Sequence, residues 1–218
     1  MRIHLKKELS KLNELLLRLS AKVEKNLVRS IRSVEELDEN LARIVLKADA
    51  EIDNHEIEVE EECLKILALH QPVAIDLRII VSVLKINNDL ERIGDLAVGI
   101  AKRTSPLKKH SEKKIDIDFS GISGIVKEML EKSLNAFVNL NTEEAEEVLI
   151  MDDKVDDLNR NMYDFIKEKI NEDVGSFNYM IHMLFIYRNL ERVADHVTNI
   201  AEDILYMVNG SIVRHKKF

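Results

Sequence analysis

Four pairs of acidic residues stand four positions apart in the chain: Asp49/Asp53, Glu91/Asp95, Asp152/Asp156 and Glu191/Asp195. Successive helical residues turn by about 100°, so on a helix each pair lies within about 40° of one face. Like charges placed there repel, at a cost of a few tenths of a kcal/mol per pair in an isolated helix. One such pair would mean little. Four at corresponding points of a repeated unit ask for a compensating charge, and an all-oxygen donor set suits hard cations such as Mg²⁺, Ca²⁺, Mn²⁺ or ferric iron. Carboxylates that bridge would hold more than one ion per site. The competing reading is that the acids form solvated helix faces, partly balanced by Lys and Arg.

The elements that must position these acids are helices. Apolar residues recur every three or four positions through Leu9, Leu12, Leu16, Leu19 and Val23 and on to Ile31 and Val34, which predicts a first helix of about thirty residues. A second stripe runs Leu41, Val45, Ala48, Ile52, His55, Val59 and Ile66 and stops near His70-Gln71-Pro72, where proline can only open the next helix. A third, Ile79, Val83, Ile86, Leu90, Ile93, Ala97 and Ile100, steps alternately by four and three, the seam of a bundle helix. From Thr104 to about Asp118 the periodicity fails, and Pro106 with Lys108, Lys109, Lys113 and Lys114 reads as a solvated basic connector. Three more helices follow at about 120–140, 142–171 and 175–208, with Asn141 and Glu144 as a capping box and Asp173-Val174-Gly175 as the last break.

The two halves repeat. Leu90-Glu91-Arg92-Ile93-Gly94-Asp95 with Ile100-Ala101 returns one hundred residues later as Leu190-Glu191-Arg192-Val193-Ala194-Asp195 with Ile200-Ala201. Asp49-Ala50-Glu51-Ile52-Asp53 returns as Asp152-Asp153-Lys154-Val155-Asp156, and the seam returns from Met183 to Met207. The expected fold is therefore all-α: two tandem, pseudo-symmetric three-helix bundles, with residues 1–104 as the first, 105–118 as connector and 119–218 as the second. If helices two and three fold back at Gln71-Pro72, Asp49/Asp53 and Glu91/Asp95 reach one height. Folding at Asp173-Val174 does the same for Asp152/Asp156 and Glu191/Asp195. Each half then gathers four carboxylates at one level, on the side away from the apolar seam. A ferritin-like di-iron enzyme, whose ligands project into the bundle core with Glu-x-x-His motifs, does not fit that placement.

Composition agrees with long amphipathic helices. Gly and Pro together supply 8 of 218 residues, while 45% are hydrophobic and 33% charged, which argues against turn-rich sheet folds. Net charge is −8, the wrong sign for a nucleic-acid binder but natural for a cation ligand. No apolar stretch is long enough for a signal peptide or a membrane span, so a soluble cytoplasmic protein is expected. Cys63 cannot make an internal disulfide and reads as a small buried hydrophobe. His55, on the apolar stripe, is expected in the core; His196 reads as a surface histidine, with a place beside a metal as the alternative. Arg92 and Arg192 flank the acids and read as ion-pair partners, with an anion near a metal as the other possibility. Gly94 and Gly99 read as points of close helix approach. No catalytic triad, phosphate-cradling glycine loop or zinc-type cysteine cluster stands in the sequence.

The run from Gln71 to Arg78, the run from Asp89 to Ala101, the stretch Glu191 to Glu202 and the tail Gly210 to His215 closely resemble the PhoU family of phosphate-uptake regulators. Gly99, where that family often has Asn, and Ala194, where it usually has Gly, depart from its pattern. The resemblance implies two three-helix bundles and metal ions on the carboxylate clusters, iron or another divalent ion of the Mg, Mn, Ca or Zn type. Its ligands would fall on Asp49, Asp53, Glu91 and Asp95, and on Asp152, Asp156, Glu191 and Asp195. It further implies a cytoplasmic, often dimeric negative regulator of phosphate uptake and of the starvation response. Its partners would be a phosphate-specific ABC transporter, through the ATPase subunit, and a phosphate-sensing histidine kinase. The alternative is a carboxylate-bridged metalloenzyme on the same bundle, and a plain helical scaffold is the third reading.

Overall fold

A computed structural model of the chain describes residues 2–113, 115, 117–170 and 174–211. Lys114 of the connector, Asp173 of the predicted break and Ile212 to His215 of the tail motif lie outside the described residues. Seven α-helices follow in order: α1 (Arg2–Glu35), α2 (Glu39–His70), α3 (Ala74–Ala101), α4 (Thr104–Lys109), α5 (Phe119–Asn139), α6 (Thr142–Lys169) and α7 (Phe177–Asn209). The helix-rich prediction holds, and no strand occurs among the described residues. Helices α1, α2 and α3 pack on one another, as do α5, α6 and α7, and α3 lies along α7.

Side-chain caps fix three helix starts. Asp38 accepts from the N–H groups of Asn40 and Leu41 before α2, Asp118 accepts from Gly121 before α5, and Asn141 accepts from Glu143 and Glu144 before α6. The heptad positions Val45, Ile52, Val59 and Ile66 of α2 are fully buried, as are Val83, Ile86, Leu90, Ile93, Ala97 and Ile100 of α3. One continuous apolar cluster runs through both bundles. Cys63 sits within it, and burial pushes its thiol up to about 12. Its neighbour Glu62 is also buried, but Lys11 (2.6 Å) and Lys65 (2.9 Å) hold it, and it titrates at about 2.

His55 is not a core residue: it is partly exposed and its Nδ1 lies 2.8 Å from the Glu51 carbonyl. The buried line of α2 repeats every seven residues through 45, 52, 59 and 66, which leaves 48 and 55 at its edge. The connector is not simply solvated either. Thr104 and Leu107 are buried in α4, and Thr104 shares a 2.9 Å hydrogen bond with Ser33 of α1. A six-residue helix is too short to show a period, so the sequence pattern gave no sign of it.

The duplication is visible in the packing of α2 on α3. A Cβ on Gly94 would stand 3.2 Å from Ile52 Cγ2. In the second half the same two places hold Val155 and Ala194, both fully buried, so a methyl group has moved from one helix to the other. Gly94→Ala alone should therefore overpack, offsetting the gain of about 1 kcal/mol in helix propensity. Ile52→Val removes the Cδ1 that would stand 3.5 Å from the new methyl, so the pair should fit better together, and a double-mutant cycle by urea unfolding should show about 1–2 kcal/mol of favourable coupling. Additive effects would show that this contact is slack.

Candidate metal centres

Helix α2 turns back into α3 through Gln71, which adopts the left-handed conformation at φ 44° and sends its N–H to the Leu67 carbonyl. This hairpin brings the first-half acids to one level. Asp49 is half-buried, and its carboxyl is raised by that burial and then by the charges of Asp53 on its own helix and Asp95 on α3. Glu91 is raised by burial and by Asp95, and beyond it by Asp53 and Glu56 of α2. Each helix thus feels the carboxylates of the other. Arg92 opposes them, at 3.4 Å from Glu91 and 3.3 Å from Asp95. This is the ion-pairing role expected of it.

The second half repeats the arrangement with more burial and, among the described residues, no ion pair on its acids. Burial first, then Asp156, Asp195, Asp153 and Glu191, pushes Asp152 up to about 7. Glu191 is raised by burial, Asp195 and Asp156, against Arg188 and Arg192. Asp195 is raised by burial and Asp156, against His196 and Arg192. All eight acids predicted from the spacing therefore fall into two groups of four, one per half, facing each other across a helix pair. Neither group is closed: among the described residues no three His, Cys, Asp or Glu side chains stand together closely enough to hold one ion. Asp49, Asp53, Asp152 and Asp156 make no ion pair among the described residues, so their carboxylates are not committed elsewhere. The donor chemistry fits a hard cation, with side-chain rotation needed to close the coordination shell.

The two centres stand back to back. Arg78 Nε donates to the Met207 carbonyl (3.1 Å), Lys85 binds Asp203 (2.9 Å) and Asp89 binds His196 Nδ1 (2.8 Å), while the Cβ position of Gly99 lies 2.8 Å from Asn189 Nδ2. Contact positions rise along α3 as they fall along α7, so the helices run antiparallel and Ile93 stands level with Val193. Gly99 is thus a point of close approach, as expected, and Gly94 is another. His196 is not a surface residue: it is mostly buried and tied across the bundles to Asp89. The pairing joins positions more than a hundred residues apart, which no local pattern announces.

The family profile described as PhoU domain matches residues 16–104 and again 119–204. The chain belongs to the PhoU family. A Clostridium acetobutylicum relative, named as a phosphate-specific transport system accessory protein PhoU homolog, is 35% identical over 207 residues, 94% of each chain. The Pseudomonas aeruginosa homolog of the same name is 34% identical over 209 residues, covering 95% of this chain and 86% of its own length. The crystal structure of PhoU from Pseudomonas aeruginosa superposes with a TM-score of 0.92 at 32% identity, covering 94% of this chain and 99% of that one. A phosphate transport system regulatory protein PhoU from Streptococcus pneumoniae gives 0.89 at 27% identity, covering 96% and 99%. The PhoU fold of two three-helix bundles is therefore the fold of this chain, and none of its described helices is long and apolar enough to cross a membrane.

Proposed function

We propose that this chain is a metal-binding accessory protein of phosphate transport, a cytoplasmic negative regulator that acts through protein contacts rather than by catalysis. Two groups of four mutually repelling carboxylates, in a fold whose relatives are named for phosphate-transport accessory roles, carry this reading. Asp49, Asp53, Glu91 and Asp95 hold one ion or cluster, and Asp152, Asp156, Glu191 and Asp195 the other. Iron or a divalent ion such as Mn²⁺ or Mg²⁺ is the cofactor. Binding removes the repulsion between α2 and α3 and between α6 and α7, stiffens each bundle, and so sets the surface offered to partners. Those partners are the ATPase subunit of a phosphate-specific ABC transporter and a phosphate-sensing histidine kinase, met by a homodimer of this chain. Elemental analysis of untagged protein, with pull-down of transporter and kinase at high and low phosphate, tests the reading. Unchanged metal content and unchanged partner recovery in Asp95→Asn/Asp195→Asn would falsify it.

The halves should differ in affinity. Arg92 already neutralises part of the first group, whereas the second has no such pair among the described residues. Arg92→Gln should tighten Mn²⁺ binding at the first centre about fivefold, the worth of one partly screened charge. Calorimetric titration of the variant reads this directly, and an unchanged constant would show that the arginine does not compete.

A further inference from the structure

Where α3 crosses α7 the charge reverses. A cleft of about 400 Å³ opens there, lined by Arg92, Lys102, Arg103, Arg192 and His196, with Asp95 as its one carboxylate. In a chain of net charge −8, four permanent cations around one opening need a cause. Arg92 is bound to its own acids. Lys102, Arg103 and Arg192 reach no carboxylate within ion-pair distance among the described residues.

Arg103 is the best positioned of the three. Its guanidinium lies 4.5 Å over the Phe185 ring, and its Nε is buried without a hydrogen-bond partner. Stacking on an aromatic face holds the planar donor fork in one orientation, suited to an oxyanion. Asn189 also lines the cleft, its amide held near the bare backbone of Gly99, and supplies a neutral N–H donor. Arg103 closes one bundle and Arg192 sits within the last helix of the other, so an anion between them would touch both halves.

We propose that this cleft is an oxyanion site that takes free inorganic phosphate or a small phosphomonoester on Arg103, Arg192 and Lys102, with the Asn189 amide as neutral donor. The site adjoins the first carboxylate group, sharing Asp95 and Arg92 with it, but does not rest on that group binding metal. Charge-assisted contacts of this kind are each worth about tenfold or more in affinity. Titration calorimetry with inorganic phosphate in low-salt buffer should show one site per chain that weakens as NaCl rises. Arg103→Gln and Arg192→Gln should each weaken it about tenfold; Arg192 is exposed, so that variant keeps its fold. Arg160→Gln, which removes an exposed arginine paired with Asp157 outside the cleft, should leave it unchanged. Glycerol 2-phosphate in a parallel titration separates a monoester from the free ion. Absence of binding to wild-type protein at millimolar phosphate, or equal loss in Arg160→Gln, overturns the assignment. Loss in Asp49→Asn/Asp53→Asn, whose centre shares Asp95 with the cleft, or in Asp152→Asn/Asp156→Asn would place the anion on a metal ion instead and overturn it as well.

Discussion

Asp152→Asn should raise the unfolding midpoint of the metal-free protein at pH 8 by about 4–8 °C, although it deletes a charged group. The reason is linkage. Burial and four neighbouring carboxylates push Asp152 from its ordinary 3.8 to about 7, so the folded chain holds a proton that the unfolded chain releases between those values. Folded protein binds more protons there, and stability falls as pH rises from about 4 to about 7. At about 1.4 kcal/mol per pH unit the shift is worth at most about 4 kcal/mol, and solvent screening reduces it to about 2. Asparagine keeps the shape and removes the penalty. Melting curves from pH 4 to pH 8.5 should show the wild type losing stability up to about pH 7 and levelling above it, and the variant nearly flat. Parallel curves would mean that the acids of α6 and α7 do not feel one another.

The complementary result concerns the cation. Mn²⁺ at about a hundredfold over its dissociation constant should stabilise the folded wild type by about 2.7 kcal/mol per occupied centre, since the unfolded chain has no assembled site. That is about 5–10 °C in melting temperature. Asp152→Asn/Asp156→Asn should lose the contribution of the second centre and keep that of the first. Asp49→Asn/Asp53→Asn should do the reverse. A shift of equal size in both variants and in the wild type would place any bound metal elsewhere, and no shift in any of them would leave a helical scaffold with repelling faces. The opposing signs of the two experiments matter: removing carboxylate charge from the second group should strengthen the empty protein and remove that group's share of the response to metal.

What could be read from the residues follows from range. The acidic pairs, the seam from Ile79 to Ile100 and the duplication are periodic or repeated, so they were legible without coordinates, and so was the common height of the acids once a hairpin at Gln71-Pro72 was granted. His55 shows the limit of periodicity: it falls on an apolar stripe, yet sits at the edge of the line that Ile52 and Val59 define. The Asp89–His196 and Lys85–Asp203 ties and the basic cleft were not legible, because each needs the register of α3 on α7. Glycine at 99 was the one local hint of that contact, and it did not say which helix would approach.

The lone thiol offers a clock. Cys63 is fully buried between the helices of the first bundle, and with its titration near 12 it is almost entirely protonated at neutral pH. Alkylating reagents therefore reach a reactive thiolate only when α1, α2 and α3 part, and the labelling rate reports how often that half opens. No other cysteine exists to blur the signal. One half of a duplicated molecule thus carries its own timer while the other runs silent, and a cation that clamps α2 to α3 should slow it.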